Sequence, residues 1–98
     1  MSVRIRLRPE AVDDLQQAAD WYDEQGVPGL GRRFVLAVDE AMEALKKNPL
    51  LHPPGYRGVR QKLVAKFPYV VCYTAAREQV EVLAVMHAHR SPDAWRSR

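Results

Sequence analysis

Only one of the 98 residues is a cysteine, Cys72, so an internal disulfide is excluded. No stretch approaches the roughly 20 consecutive apolar residues that span a bilayer. The N-terminus, Met1-Ser2-Val3-Arg4-Ile5-Arg6-Leu7-Arg8, alternates apolar and basic residues and so lacks the continuous apolar segment of a signal peptide. Together these absences make the cytoplasm the simplest address and leave no membrane partner to expect. Repeats, low-complexity tracts and linkers are also missing, so residues 1–98 are expected to form a single domain. There is no glycine-rich phosphate loop and no Ser-His-Asp grouping. His87-x-His89 with His52 does not supply the three or four converging ligands of a zinc site, so neither a metal nor a cofactor is expected.

What is present is a globular composition, 47% apolar, with charge unevenly placed. Residues 1–51 hold seven Lys/Arg against nine Asp/Glu, a net of −2, while residues 52–98 hold eight against three, a net of +5. Such asymmetry points to an acidic or nucleic-acid partner on the C-terminal half; the plain alternative is a solvated basic face. The cations concentrate in the run Arg57, Arg60, Lys62, Lys66 and again at His87, His89 and Arg90, ahead of Pro92 and Trp95.

Periodicity gives the elements. Val3, Ile5 and Leu7 alternate with Arg4, Arg6 and Arg8, the period of a half-buried strand. Pro9 stops that ladder and suits the first turn of a helix over 9–25, with Val12, Leu15, Ala18 or Ala19, and Tyr22 as its apolar stripe and Gly26 at its end. Pro28 opens a second helix running to about Asn48, its stripe Leu30, Phe34, Ala37 or Val38, Ala41 and Leu45, closed by Pro49. An irregular loop with Pro53, Pro54, Gly55 and Gly58 leads to three strands near 59–65, 68–75 and 79–87, the last two forming a hairpin. The expectation is an α+β two-layer domain of order β-α-α-β-β-β, a helical hairpin packed on a small, mostly antiparallel sheet.

This order resembles the RelE/ParE superfamily of toxins from bacterial toxin–antitoxin operons. The resemblance is carried by the opening strand before Pro9-Glu10-Ala11, Asp20-Trp21-Tyr22 late in the first helix, and the Asn48-Pro49 helix stop. Arg60 ahead of Lys66-Phe67-Pro68-Tyr69, and Val82-Leu83-Ala84-Val85 running into His87-Ala88-His89-Arg90-Ser91-Pro92 and Trp95, complete it. It is nearest to members of the ParE or plasmid-stabilisation type. The resemblance implies one of two activities. RelE-like members are ribosome-dependent, metal-independent endoribonucleases that cut messenger RNA; ParE-like members act on DNA gyrase without catalysis. Both are silenced by an antitoxin with an acidic segment. A non-toxic module that only binds its antitoxin and regulates its operon is a further alternative.

Each reading names residues. Metal-free RNA cleavage needs a base, an acid and cations around the phosphate, for which His87 or His89 with Arg60 and Arg90 are the candidates. Arg57, Lys62 and Lys66 are candidates for RNA or partner binding, with Tyr73 as a stacking platform and Trp95 as a further contact. His87 and His89 share a face if the last strand reaches that far, as do Arg60, Lys62 and Val64; whether those faces coincide depends on register. Arg4, Arg6 and Arg8 on one outward strand face, with Trp21, are candidates for the antitoxin contact; the plain reading of the arginines is protection of a strand edge. RelE-type sites carry a tyrosine near the C-terminus, and none follows Tyr73 here, which brings the chain nearer to ParE.

Overall fold

The computed structural model describes residues 3–90. Strand β1 (Arg4–Leu7) is followed by helices α1 (Pro9–Asp23) and α2 (Leu30–Lys47), a short turn of 3₁₀ helix (Tyr56–Gly58), and strands β2 (Arg60–Leu63), β3 (Tyr69–Ala75) and β4 (Gln79–His87). The sheet order is β1-β4-β3-β2. β1 lies at an edge, parallel to β4 with Ile5 beside Val80 and Leu7 beside Val82, while β2–β3 and β3–β4 are antiparallel. The architecture is therefore the expected α+β order with a mixed, mostly antiparallel sheet. No helix among the described residues is long and apolar enough to cross a membrane.

Pro9 starts α1 because its missing N–H is one that the first helical turn leaves unpaired anyway, and Glu10 favours the same end. The buried stripe is Ala11, Ala18, Ala19 and Tyr22, with Leu15 partly covered. Val12, expected in that stripe, is 49% exposed. The rest of the stripe is as expected, and at its start the small Ala11 lies against the sheet in place of Val12, which lets the two layers approach. α1 ends at Asp23, two residues short of the expected boundary, where the Glu24 N–H folds back onto the carbonyls of Asp20, Trp21 and Tyr22 and Gly26 turns the chain at φ +80°. Pro28 lies in the turn before α2, not inside it; the left-handed Gly29 (φ +75°) precedes the first helical residue.

Gly31 is the point of closest approach between the helices. Asp23 Oδ1 accepts its N–H at 3.0 Å, so the last side chain of α1 caps the start of α2. A Cβ at this position would sit 2.5 Å from the Ala19 carbonyl oxygen and against the Asp23 carboxylate. Beyond it, Phe34, Val38, Ala41 and Leu45 bury against Val64, Val71, Tyr73, Val80, Val82 and Val85 of the sheet. The sheet's other face carries Val59, Cys72, Leu83, Ala84 and Met86. A bulge explains how Leu83 and Ala84 both reach that face. The register passes from Cys72 opposite Ala84 to Tyr73 opposite Val82, so Leu83 is the extra residue.

Alanine normally stabilises a helix over glycine by about 1 kcal/mol. Here Gly31→Ala should do the reverse, lowering stability by about 1–3 kcal/mol because a backbone carbonyl cannot yield to the new methyl. The urea midpoint of the variant measures this; an unchanged or raised midpoint would contradict the close approach.

Candidate functional site

β1 stops at Leu7, and its last link to β4 is the Arg8 N–H on the Val82 carbonyl at 3.0 Å. Past that point no strand among the described residues pairs with the outer edge of β4. Asp14, on α1, fills the gap: its Oδ2 accepts the Val85 N–H at 3.1 Å, satisfying a donor that would otherwise be lost to the ladder. Between this helix face and the strand end runs a groove of about 280 Å³, walled by Gln17 and Trp21 on one side and by Tyr69, His87 and Arg90 on the other. Trp21 is 53% exposed, a large indole resting edge-on against Tyr22 (5.0 Å between ring centres). Across the groove the His87 ring stands 5.4 Å from Tyr69 and 5.3 Å from His89.

The two histidines meet by a different route from the expected strand alternation. β4 ends at His87, and residues 88–90 turn back, with the Ala88 N–H on the Pro68 carbonyl (2.7 Å) and the Arg90 N–H on the His87 carbonyl (3.0 Å). The His89 backbone N–H donates to His87 Nδ1 at 3.2 Å, so a neutral His87 carries its proton on Nε2. His87, His89 and Arg90 therefore form one cluster with Trp21 and Tyr69.

Arg60 does not join them. It pairs with Tyr73 on β3 whereas His87 pairs with Tyr69. Four residues of strand and two strand spacings separate the positions, roughly 13 Å along the sheet and about 10 Å across it. Arg60 faces the helix layer as His87 does, so the faces coincide but the positions do not. Its guanidinium instead donates to the carbonyls of Leu50 and His52, fastening the loop after α2. The expected set of His87 or His89 with Arg60 and Arg90 is thus not assembled.

Tyr73 departs further from its expected role as a stacking platform. It is wholly buried on the helix side of the sheet and cannot offer a stacking face to a base. Its hydroxyl has no hydrogen-bond partner among the described residues. Burial raises its pKa above the usual 10.0, with the Arg60 guanidinium pulling the other way. Lys62, opposite Val71, lies on the far edge strand from His87. Lys66 sits in the β2–β3 turn at φ +67°, and Arg57 (φ +54°) holds its guanidinium 5.3 Å from its neighbour Tyr56. Trp95 lies outside the described residues.

The three N-terminal arginines are not equivalent. Ile5 and Leu7 pack toward the helices, so Arg4, Arg6 and Arg8 point to the other sheet face. Arg8 is engaged there with Glu81 through Nε (3.2 Å) and Nη2 (2.9 Å), which leaves Arg4 and Arg6 as the exposed pair. Trp21 stands in the helix layer, so it and the arginines belong to different faces. The groove also holds Asp14, Gln17 and Tyr69, none of them a candidate site residue from the sequence. In sequence Asp14 is one more acid near a helix start and Tyr69 one more strand residue, although the alternation Tyr69, Val71, Tyr73 places it inward. No three metal-ligating side chains converge among the described residues.

With fold and groove described, comparison with known proteins places the chain. Residues 5–92 match the family model of the ParE toxin of type II toxin–antitoxin systems, parDE, and the chain belongs to that family. It is 36% identical over 88 residues to the putative toxin Y4kP of Sinorhizobium fredii, covering 89% of this chain and 90% of the relative. It is 28% identical over 94 residues to toxin ParE2 of Mycobacterium tuberculosis, covering 96% and 90%. A solved structure described as a chromosomal ParDE system from P. aeruginosa superposes with a TM-score of 0.75 at 18% identity, over 87% of this chain and 95% of that one, and so shares the fold.

Because the Tyr73 hydroxyl is buried without a hydrogen-bond partner among the described residues, Tyr73→Phe should be neutral or stabilising, whereas Tyr73→Ala should lose about 3–5 kcal/mol. The raised pKa also sets a pH window. Stability tied to the protonated phenol is intact below pH 10.0 and falls as pH rises above it, and Tyr73→Phe should blunt that alkaline fall. Urea titrations at pH 7 and above pH 10 check both; a Phe variant destabilised by more than about 1 kcal/mol would show that the hydroxyl has a partner.

Proposed function

We propose that this ParE-family toxin inhibits growth by binding another protein, DNA gyrase, rather than by cutting RNA, and that a cognate antitoxin with an acidic segment holds it silent. The observation that carries the reading is the separation of Arg60 from the His87–His89–Arg90 cluster. A metal-free nuclease needs proton-transfer groups and several phosphate-binding cations around one atom, and here Arg60 lies two strands away from the histidines, which leaves Arg90 as the one candidate cation beside them. What is concentrated in the Trp21 groove suits a protein partner, here the antitoxin: an exposed tryptophan, a tyrosine and an arginine, the residue types that dominate interface energies. Arg4 and Arg6 supply a second cationic face that would steer an acidic chain toward the toxin. This reading places the protein in the cytoplasm, with its target.

The ribonuclease reading retains one favourable feature, two histidine rings 5.3 Å apart with Arg90 beside them. Growth assays separate the two. The protein is expressed from a tight promoter, and translation, messenger integrity and DNA supercoiling are followed in the same cultures. On the gyrase reading, His87→Ala and His89→Ala retain growth inhibition to within about threefold, since the weakest interface contacts cost well under 1 kcal/mol. Supercoiling changes come first and messenger RNA stays intact. On the nuclease reading both substitutions abolish inhibition. A well-folded wild type with no effect on growth would leave only an antitoxin-binding module. Trp21→Ala should weaken antitoxin binding by about 30-fold or more, the loss typical of a hot-spot tryptophan, measured by titration calorimetry against the antitoxin.

A further inference from the structure

α2 carries a second apolar surface beside its buried stripe. Leu30, Ala37 and Phe67, the last from the β2–β3 turn, floor a groove of about 420 Å³ with Leu36 at its rim. Leu36 is 49% exposed, a large apolar side chain that the fold itself leaves uncovered. Two cations, Arg33 and Lys66, flank the groove against a single acid, Glu40. Neither cation takes part in an ion pair among the described residues. Lys66 occupies a left-handed conformation that non-glycine residues adopt rarely, and the tight turn it makes is what brings its side chain and Phe67 to the groove.

This groove is separate from the one containing Trp21. The rings of Tyr22, Phe34, Phe67 and Tyr69 pack into a wall between them, with Tyr69 facing the first groove and Phe67 the second. From Leu30 to Glu40, α2 presents about 15 Å of length, enough to seat roughly ten residues of a second helix. An apolar floor beside a helix, flanked by two exposed cations, is the complement of an amphipathic helix with carboxylates along its margins.

We propose that the α2 groove is the surface that engages the toxin's cellular target, and that its occupant is an acidic amphipathic helix of that target. The proposal rests on the reading that this toxin acts by protein contact. In that reading the antitoxin meets Trp21 and the Arg4/Arg6 face, so target binding and antitoxin binding are carried by different residues and can be lost separately.

The test uses Leu36→Asp, which adds a charge to the apolar rim, and the double variant Arg33→Glu/Lys66→Glu, which reverses both flanking charges at exposed positions that folding does not need. Each is expressed in cells with and without the cognate antitoxin, with circular dichroism and co-purification as controls of fold. The expected result is wild-type co-purification with the antitoxin together with relief of growth inhibition by at least about tenfold in colony count, while Arg33→Lys remains toxic. Variants that inhibit growth as the wild type does would overturn the proposal. So would variants that stay toxic but lose the antitoxin, which would make the groove the antitoxin's, or a wild-type dimer that becomes a monomer on gel filtration in Leu36→Asp, which would assign it to a second copy. A wild type that does not inhibit growth overturns the underlying toxin reading, and the groove's assignment with it.

Discussion

The packing of four aromatic rings decides where everything else stands. Tyr22 from α1 lies 5.2 Å from Phe34 of α2 and 5.1 Å from Phe67 in the β2–β3 turn, and Phe34 lies 4.9 Å from Tyr69 at the start of β3. Offset and edge-on contacts of this kind add about 0.5–1.5 kcal/mol per pair to the burial itself. Their larger effect is geometric, since one cluster fixes both helices, the turn and the sheet relative to each other. Trp21 is then placed by its neighbour Tyr22, and His87 by its contact with Tyr69. Both grooves have walls drawn from this cluster.

A second constraint comes from the sheet edge. β1 is only four residues long, so β4 outruns it, and an uncovered strand edge invites unwanted pairing. The protein meets this with a helix side chain, Asp14, on the Val85 N–H. The same link holds α1 close to β4 and so sets the width of the groove that Trp21 and His87 line. At the opposite edge Arg60 binds loop carbonyls. Both charged groups are thus used to finish the backbone's hydrogen bonding, and a residue engaged in this way is poorly placed to act as a mobile catalytic group.

Much of this was legible in the chain itself. A short run of strand-forming apolar residues marks β4 at 79–87, and the helical period marks the α2 stripe of Phe34, Val38, Ala41 and Leu45, because those residues are both apolar and evenly spaced. The α1 stripe of Leu15, Ala18, Ala19 and Tyr22 is legible in the same way, and Val12 alone departs from it, since Ala11 and Val12 are both apolar and hydropathy alone does not say that the tighter approach wants the smaller side chain. Tyr73 was misread because a tyrosine ring can stack on a base or fill a core, and only its pairing between Arg60 and Val82 shows which. The distance from Arg60 to His87 depends on the register of β2 against β3, a non-local quantity with no local signature. His87 and His89 are neighbours through a turn rather than a strand. Leu36 left no signal because one exposed leucine on a helix is ordinary until the turn holding Phe67 and Lys66 packs beside it.

The account stands on contact with a protein target, and the most direct measurement is the supercoiling activity of purified bacterial DNA gyrase titrated with the purified toxin. The account predicts inhibition that grows with toxin concentration and is reversed by stoichiometric antitoxin. Undisturbed supercoiling at toxin concentrations that cleave messenger RNA on purified ribosomes would contradict it.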